Sequence, residues 1–420
     1  MSDQPDPLRK PSSAPTAPPR QASYLQQVLA SSTLVVVLAV VIALVVAALL
    51  IVVTDEDVRG SAGYLFARPN DFVYYSTNAV GDAFGALLRG SVYNWEADTF
   101  RQGIRSLTET MTVSVPLIFA ALGLGIGFRA GLFNIGAQGQ IVLGATVGGF
   151  IGFAMDLPVG VHLLLAVVGA FLGGALWGGI AGFLKARTGA NEVIVTIMLN
   201  SVALYLLAYL LTTDLFQGGA TNQPISAPVA DTARYPLLLG FLGYRIHAGF
   251  LLALVAAVAV WWLMERSTLG FQFRAIGENP SAARTAGMDV ESGYLWVMVI
   301  AGGLAGLGGS AQILGTERAL TGGIAASFGF DAITVALLGR SRPLGTVLAA
   351  LLFGGLRAGG FAMQGTGVPI DLILVIQSLI VLFIAAPPLV RGLFLLPSEE
   401  RTRRRLEKKR LRADAKGAAA

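Results

Sequence analysis

The sequence has no cysteine and only two histidines, His162 and His247, among its 420 residues. A chain without cysteine forms no disulfide and offers no thiolate for catalysis or for metal binding. The two histidines lie far apart, each near the end of an apolar run, where a position at the membrane interface is the simplest interpretation. We therefore expect neither a metal site nor a cofactor.

Charge is also scarce. Only 13% of the residues are charged, whereas a soluble domain carries about 25%. Hydrophobic residues make up 54% of the chain and the mean hydropathy is +0.68. A soluble protein must cover its surface with polar groups, but a protein embedded in a bilayer need not. The composition therefore predicts an all-α, polytopic membrane protein of about ten transmembrane helices.

Lysine is rare as well, and none of the five lysines follows a glycine. The chain therefore has no G-x-x-x-x-G-K-[ST] phosphate-binding loop and no P-loop ATPase site of its own. It also lacks the H-E-x-x-H pattern of metalloproteases, and the apolar runs lack the paired acids or Ser–His pair of an intramembrane enzyme. These absences indicate that the chain is not an enzyme.

What the sequence has in abundance is long apolar runs. A span needs about twenty apolar residues to cross about 30 Å of hydrocarbon. Such runs lie at about 33–53, 107–128, 131–155, 159–184, 193–213, 248–264, 293–314, 321–339, 343–363 and 369–387. They predict a transmembrane domain over 33–390 with an external loop at about 54–106 and a cytoplasmic loop at about 265–291.

The two ends of the chain differ from this domain. Residues 1–32 hold six of the eighteen prolines and predict a disordered cytoplasmic extension. Residues 391–420 carry ten basic and four acidic residues. A basic run directly after a last span is more typical of binding to anionic membrane lipid than to nucleic acid. Basic residues also concentrate in connections such as those holding Arg129 and Lys185, which predicts that both termini are cytoplasmic.

Glycine recurs at helical spacing within the predicted spans. Gly174, Gly178 and Gly182 are four residues apart, as are Gly302 and Gly306. Small residues at this spacing let helix backbones approach closely, which predicts a tightly packed bundle and indicates nothing about a solute.

Three amides interrupt the apolar run predicted at about 131–155. Asn134, Gln138 and Gln140 lie among glycines in the stretch GFRAGLFNIGAQGQIVLGA (127–145). An amide without a hydrogen bond is costly in hydrocarbon, so these side chains must face protein or water. The glycines permit a broken or re-entrant segment, as in many transport pathways. Hydrogen bonding between helices for packing alone is an equally good interpretation.

The cytoplasmic connection ERSTLGFQFRAIGENPSAARTAGMDV (265–290) is much longer than the other internal connections. Pro280 suits the first position of a short helix with Asn279 as its N-cap. A short helix held between two spans and pointing into the cytoplasm is typical of a docking element, with a plain surface loop as the alternative.

Two charged residues, Asp331 and Arg357, fall well inside predicted spans. A charge at the bilayer centre costs about 2.5–3.5 kcal/mol on insertion scales, so each needs a partner. Straight helices joined by the short Arg340–Arg342 turn would offset the two by about six residues, or about 9 Å. We consider a mutual ion pair, separate polar partners and a water-filled cavity.

Four stretches resemble one family. FNIGAQGQ (133–140), NEVIVTIMLN (191–200), AIGENPSAARTAGM (275–288) and LLGRSRPLGTVLAALLFGGLRAGG (337–360) are similar to permease subunits of bacterial ABC importers. The similarity is to the simple-sugar and nucleoside branch, which is related to the ribose and branched-chain amino-acid permeases. It covers roughly 107–390, and the FNIGAQGQ form is nearer the nucleoside type.

The resemblance implies a permease subunit in the plasma (inner) membrane of a bacterium that forms the translocation path for a nucleoside or simple sugar. It implies an ABC ATPase subunit, a second homologous or identical permease subunit and an extracytoplasmic solute-binding protein as partners. By position it implies an ATPase-coupling set comprising Gly277, Glu278, Asn279, Pro280, Ala282, Ala283, Arg284 and Gly287.

A gradient-driven secondary transporter or channel is the alternative. Several buried acids would favour it, yet Asp331 is the only acid well inside a predicted span, with Glu192 and Asp371 near span ends.

Overall fold

The computed structural model of the chain describes residues 32–217, 223–365 and 368–385. Regular structure in these residues is helical, without a strand, which confirms the predicted all-α class. The predicted N-terminal extension, apart from Ser32, and the basic tail lie outside the described residues. Residues 43–385 form one compact unit, whereas residues 32–42 belong to another.

Thirteen of the helices in the described ranges are labelled here in chain order. They are α1 (Ser32–Thr54), α2 (Pro69–Ser91), α3 (Arg105–Arg129), α4 (Ala137–Ala154), α5 (Val161–Thr188), α6 (Glu192–Leu210), α7 (Gly249–Arg266), α8 (Thr268–Glu278), α9 (Pro280–Thr285), α10 (Val290–Ser310), α11 (Phe328–Leu338), α12 (Pro343–Gln364) and α13 (Ile370–Ala385). Short turns of helix cover Glu56–Ala62, Phe100–Gly103, Asp214–Gln217, Asp231–Ala233 and Gly240–Leu242, and a π-helix over Ala311–Glu317 extends α10.

Seven helices of the described ranges are long and apolar enough to cross a membrane. They are α3 to α7, α10 and α12, the first lengthened by the turn at Phe100–Gly103 and α10 by the π-helix. The other three predicted spans correspond to α1, with 23 residues, α11, with 11, and α13, with 16. The chain is therefore a polytopic membrane protein, with ten spans as an approximate number.

The centre of the bundle consists of α4, α5 and α10, which approach one another through glycines. A Cβ on Gly306 would fall on the carbonyl oxygen of Ala170, and a Cβ on Gly174 would fall on that of Gly302. Gly306 of α10 also contacts Gly144 of α4. These contacts are between backbones, as the glycine spacing predicted.

The predicted external loop contains a helix of 23 residues, α2, whose second half packs against α12. Gly359 of α12 lies against the carbonyl group of Leu87, and the Thr110 hydroxyl donates to the Ser91 carbonyl oxygen at 2.6 Å. Charged residues such as Asp71 and Arg89 interrupt the apolar pattern of α2, so the sequence did not predict a helix of this length.

Two predicted spans are helical only in part. Residues 130–136 precede α4 and residues 318–327 precede α11, and neither segment is helical. The first segment contains Gly131 with a φ of 74°, and the second contains Arg318 and Ala326 with φ of 66° and 40°. Left-handed conformations of this kind end a helix. The helices α4 and α11 therefore begin inside the bundle.

Candidate functional site

Two of the predicted pathway residues, Asn134 and Gln140, lie at the junction between segment 130–136 and α4. Asn134 lies in the segment and Gln140 in the first turn of α4, and both side chains are buried. The Asn134 Nδ2 donates to Gln140 Oε1 at 3.1 Å, and Asn134 Oδ1 accepts from the backbone N–H of Gly136 at 2.8 Å. The two amides thus satisfy each other and fix the turn that starts α4.

Two residues of α6 hold the same segment from the side. The backbone N–H of Ile135 donates to Thr196 Oγ1 at 3.2 Å, and Asn200 Nδ2 donates to the Ile135 carbonyl oxygen at 2.9 Å. Asn200 Oδ1 also accepts from the Gly139 N–H at 2.8 Å. We did not predict Thr196 and Asn200 as site residues. The available signal was that Thr196 and Asn200, four residues apart, interrupt the apolar residues that follow Glu192.

The third predicted pathway residue, Gln138, reaches the other partial span. Its Nε2 donates to the carbonyl oxygen of Ala326 at 2.6 Å, and its Oε1 accepts from the backbone N–H of Gly329 at 2.9 Å. A Cβ on Gly329 would fall on the backbone of Gln138, so the first turns of α4 and α11 touch. Gln138 is half-buried, unlike Asn134 and Gln140.

The two intramembrane charges lie together at the start of α11. Arg357 Nη1 lies 3.2 Å from Asp331 Oδ2, and the Ser327 hydroxyl donates to the same carboxylate oxygen at 2.8 Å. The guanidinium also lies over the ring of Phe328, 4.2 Å from its centroid. The structure thus places the two residues in one ion pair, the first of the arrangements considered from the sequence.

The cytoplasmic connection folds into α8 and α9. Asn279 caps α9 by accepting from the Ala282 N–H at 3.0 Å, and Pro280 occupies the first turn, as predicted. Of the predicted coupling residues, Ala283 is buried against Ile276 and Val290, and Gly277 is half-buried. The remaining coupling residues are exposed: Glu278, Asn279, Pro280, Ala282, Arg284 and Gly287.

The connection packs directly onto the non-helical segment before α4. A Cβ on Gly277 would fall on the carbonyl oxygen of Arg129, and Gly131 faces the Gly277 backbone. Arg129 Nη2 also lies 2.7 Å from Glu265 Oε1 at the end of α7. Segment 130–136 is therefore held by the cytoplasmic connection at its first residues and by α6 at Ile135 and Gly136.

A second link joins the connection to α6. The ring of Tyr294 packs on the apolar cluster around Ala283, and the Lys185 ammonium lies 5.9 Å from that ring. Lys185 Nζ in turn lies 2.8 Å from Glu192 Oε2, in the first turn of α6.

Both histidines are fully buried: His162 lies in the first turn of α5, and His247 lies in the connection between α6 and α7. His162 Nδ1 is 2.7 Å from Thr232 Oγ1, and the His247 ring stacks on Tyr235 with centroids 5.4 Å apart. Among the described residues His247 Nε2 has no hydrogen-bond partner. Burial, together with the charge of Arg245, lowers the pKa of His247 to about 4, and burial raises the pKa of Tyr235 to about 12.

Residues 106–385 match the family described as the branched-chain amino acid transport system / permease component. The guanosine ABC transporter permease protein of Bacillus subtilis (strain 168) is 41% identical over 288 residues, 67% of this chain and 82% of that protein. A glucose ABC transporter permease protein of Haloferax volcanii is 40% identical over 287 residues, 66% of this chain and 75% of its own. A nucleoside ABC transporter permease protein of Lactococcus lactis is 33% identical over 289 residues, 67% and 79% of the two chains. No solved structure matches the chain.

Proposed function

This chain belongs to the branched-chain amino acid transport system / permease component family, and on that premise we propose that it is the membrane-embedded permease subunit of an ABC importer. It forms the path for a small polar solute, a nucleoside or a simple sugar, across the plasma membrane. The named solutes of its relatives support this solute class. ATP is hydrolysed by a separate subunit, because this chain has no phosphate-binding loop.

The observation that carries the proposal is the contact between the cytoplasmic connection and segment 130–136. Gly277 and Gly131 meet backbone to backbone, with no side chain between them to absorb a displacement. A movement of α8 and α9 is therefore passed to the segment that holds Asn134 and leads into Gln138. The coupling residues and the pathway residues form one mechanical unit in this proposal.

The partners follow from the same arrangement. The exposed residues of α9 and the turn before it dock into the ATPase subunit. Both termini are cytoplasmic, on the same side as this docking surface. An extracytoplasmic binding protein delivers the solute, and a second permease subunit, homologous or identical, completes the path. The outward apolar faces of helices such as α6 support contact with lipid or with that second subunit.

The coupling part is tested by Ala282→Glu, which places a bulky charge on the exposed face of α9. The full importer is reconstituted in proteoliposomes, and solute-stimulated ATPase activity and uptake are measured. We expect assembled protein in normal amount with both activities lost. The matched control is Ala67→Glu, an exposed alanine of the predicted external loop, which should behave as the unmodified chain. Normal stimulated ATPase activity in Ala282→Glu would overturn the docking role.

Ala283→Glu separates docking from local packing. Ala283 is buried against Ile276 and Val290, so a charge there should also lower the amount of folded protein. Energy coupling itself is tested in the unmodified importer. Uptake that persists without the ATPase and stops with an ionophore would indicate a gradient-driven transporter instead.

The pathway part is tested by alanine at Gln138, Asn134 and Gln140. Gln138→Ala should lower uptake per folded molecule, since this side chain is half-buried and ties α4 to α11. Asn134→Ala and Gln140→Ala each leave a buried amide without its partner and should also lower the amount of folded protein. Unchanged uptake per folded molecule in all three would support the packing interpretation.

A further inference from the structure

The polar cluster at the start of α11 leaves hydrogen-bonding atoms unused. Its contacts run through Asp331 Oδ2 and Arg357 Nη1, which also serve the Ser327 hydroxyl. Within the described residues, Asp331 Oδ1 and Arg357 Nη2 have no hydrogen-bond partner, and neither atom is fully buried. An acceptor and a donor that the described residues leave without a partner therefore belong to one ion pair.

This cluster adjoins the partners of Gln138, the half-buried member of the three predicted pathway residues. Gln138 bonds the backbone on both sides of Ser327 and Phe328, at Ala326 and Gly329. Ala326 is held at a φ of 40°, a conformation that an alanine adopts at a cost and that recurs at ligand-binding positions. Two sets of polar residues about 190 positions apart in sequence thus converge on one turn.

The surroundings of the pair exclude plain contact with lipid. The Asp331 and Arg357 side chains are 21% and 24% exposed, in a chain whose helices cross a membrane. Charged groups that keep exposed surface within a membrane face a water-filled cavity or another protein group, because lipid leaves them unsolvated. The open edge of the pair is therefore available to water, to solute or to another polar group.

We propose that Ser327, Asp331 and Arg357 form a binding site for a neutral solute that carries two adjacent hydroxyl groups. One hydroxyl donates to the free carboxylate oxygen while its neighbour accepts from the guanidinium. The pair is neutral overall, so it attracts no counter-ion and suits an uncharged solute. The ribose of a nucleoside and the ring of a simple sugar share this chemistry. The inference rests on the proposed importer function.

The test uses the full importer in proteoliposomes, with one binding protein throughout. Initial uptake is measured for a purine ribonucleoside, its 2′,3′-dideoxy analogue and glucose, in the unmodified chain and in Asp331→Asn. Each variant-to-unmodified ratio cancels the selectivity of the binding protein. We expect uptake of at least one hydroxylated solute to fall about tenfold, since a hydrogen bond to a charged group is lost. Uptake of the dideoxy analogue should fall less than about twofold by the same reasoning.

Arg357→Gln should likewise lower uptake of the hydroxylated solutes more than uptake of the dideoxy analogue. The control is Arg89→Gln, which removes the Arg89–Glu96 ion pair of the predicted external loop and should leave the uptake ratio of every solute unchanged. Equal losses for hydroxylated and dideoxy solutes, or no loss at all, would overturn the binding site and leave the importer function intact. An unmodified importer that takes up neither solute class would instead overturn the proposed function and this site with it.

The double variant Asp331→Arg with Arg357→Asp separates a loss of folded protein from a loss of solute binding. It keeps the attraction but moves the carboxylate and the guanidinium to opposite positions. We expect it to recover folded protein, measured by size-exclusion chromatography, without recovering uptake of the hydroxylated solute. Recovery of that uptake to the unmodified level would show that the pair is structural and would overturn the proposal.

Discussion

The contact between α5 and α10 and the segment before α4 are stabilised in opposite ways. Along α5 and α10 the helices touch through Gly174, Gly302 and Gly306, and no side chain separates the backbones. In segment 130–136 the backbone leaves the helix, and side chains supply the missing hydrogen bonds. Those side chains are Asn134, Thr196 and Asn200, and Gln140 in turn bonds the Asn134 amide.

The difference shows where a membrane protein of this kind can move. Backbone contacts between glycines have one fitting geometry and resist any sliding that separates them. Side-chain hydrogen bonds can instead be exchanged for others when a segment shifts. The segment that touches the cytoplasmic connection is thus also the one whose geometry depends on exchangeable bonds. If this contrast is correct, substitutions in the two regions should fail differently.

The largest effect is expected for Gly306→Val in the α5–α10 contact. A Cβ there falls on the carbonyl oxygen of Ala170, and a backbone atom cannot yield as a side chain can. We expect a loss of about 3 kcal/mol or more, seen as little monodisperse protein and a lower Tm. The control is Gly85→Val in α2, where no atom lies within 4 Å of an added Cβ. A Gly306→Val protein of normal yield and Tm would contradict the glycine-packed account.

The second effect concerns the side-chain-held segment. Asn200→Leu removes the partners of the Gly139 N–H and the Ile135 carbonyl, which we expect to cost about 2–3 kcal/mol. Thr196→Val removes a single partner, that of the Ile135 N–H, and should cost about 1 kcal/mol. Tm measures both, and uptake per folded molecule should fall in each. If Thr196→Val is the more harmful, the bonding pattern described here is not what stabilises the segment.

Sequence reasoning located this region but not its partners. Asn134, Gln138 and Gln140 stood out because amides in an apolar run need hydrogen bonds, and this holds wherever the partners lie. The partners themselves, Thr196 and Asn200, are about sixty residues away, and single-sequence periodicity contains no information on such distant contacts.

Two other outcomes have similar physical causes. Counting along straight helices offset Asp331 from Arg357 by about 9 Å, so the mutual pair considered from the sequence required the two helices to stagger. Asp331 lies within the helix Phe328–Leu338, so that count holds, and the side chains nevertheless meet at 3.2 Å. The helix α2 was missed because charged residues such as Asp71 and Arg89 interrupt its apolar pattern, and only its second half packs against α12.

The third effect is a dependence of stability on pH from His247. Its pKa is about 4 in the folded chain, because of burial first and Arg245 second, against 6.5 for an ordinary histidine. The unfolded chain therefore binds the proton more readily, so this stability is complete above pH 6.5 and is lost as pH falls toward 4. We expect about 1 kcal/mol less stability at pH 5.5 than at pH 7, measured as a drop in Tm.

His247→Gln removes the titrating group, so its Tm should change less over this range. Arg245→Gln should weaken the dependence without abolishing it, since burial remains. Buried Tyr235, stacked on the ring, stays neutral throughout because its pKa is about 12. Identical pH profiles for the unmodified chain and His247→Gln would assign the dependence to other groups.

The smallest effect on stability is expected for substitutions on the outward face of α6. They allow the two faces of one helix to be compared. Thr196, Asn200 and Leu207 face the bundle, whereas Tyr205 and Tyr209 are 73% and 65% exposed. Tyr205→Leu keeps an apolar side chain on a surface with no tight packing, so stability should change by less than about 0.5 kcal/mol if lipid covers it.

If the second permease subunit covers it instead, Tyr205→Asp should shift the assembled complex toward single chains in detergent, measured by light scattering. With either result, the inward face of α6 remains the face that holds segment 130–136 through Thr196 and Asn200. A Tyr205→Leu protein as unstable as Asn200→Leu would show that the two faces of α6 do not differ as described.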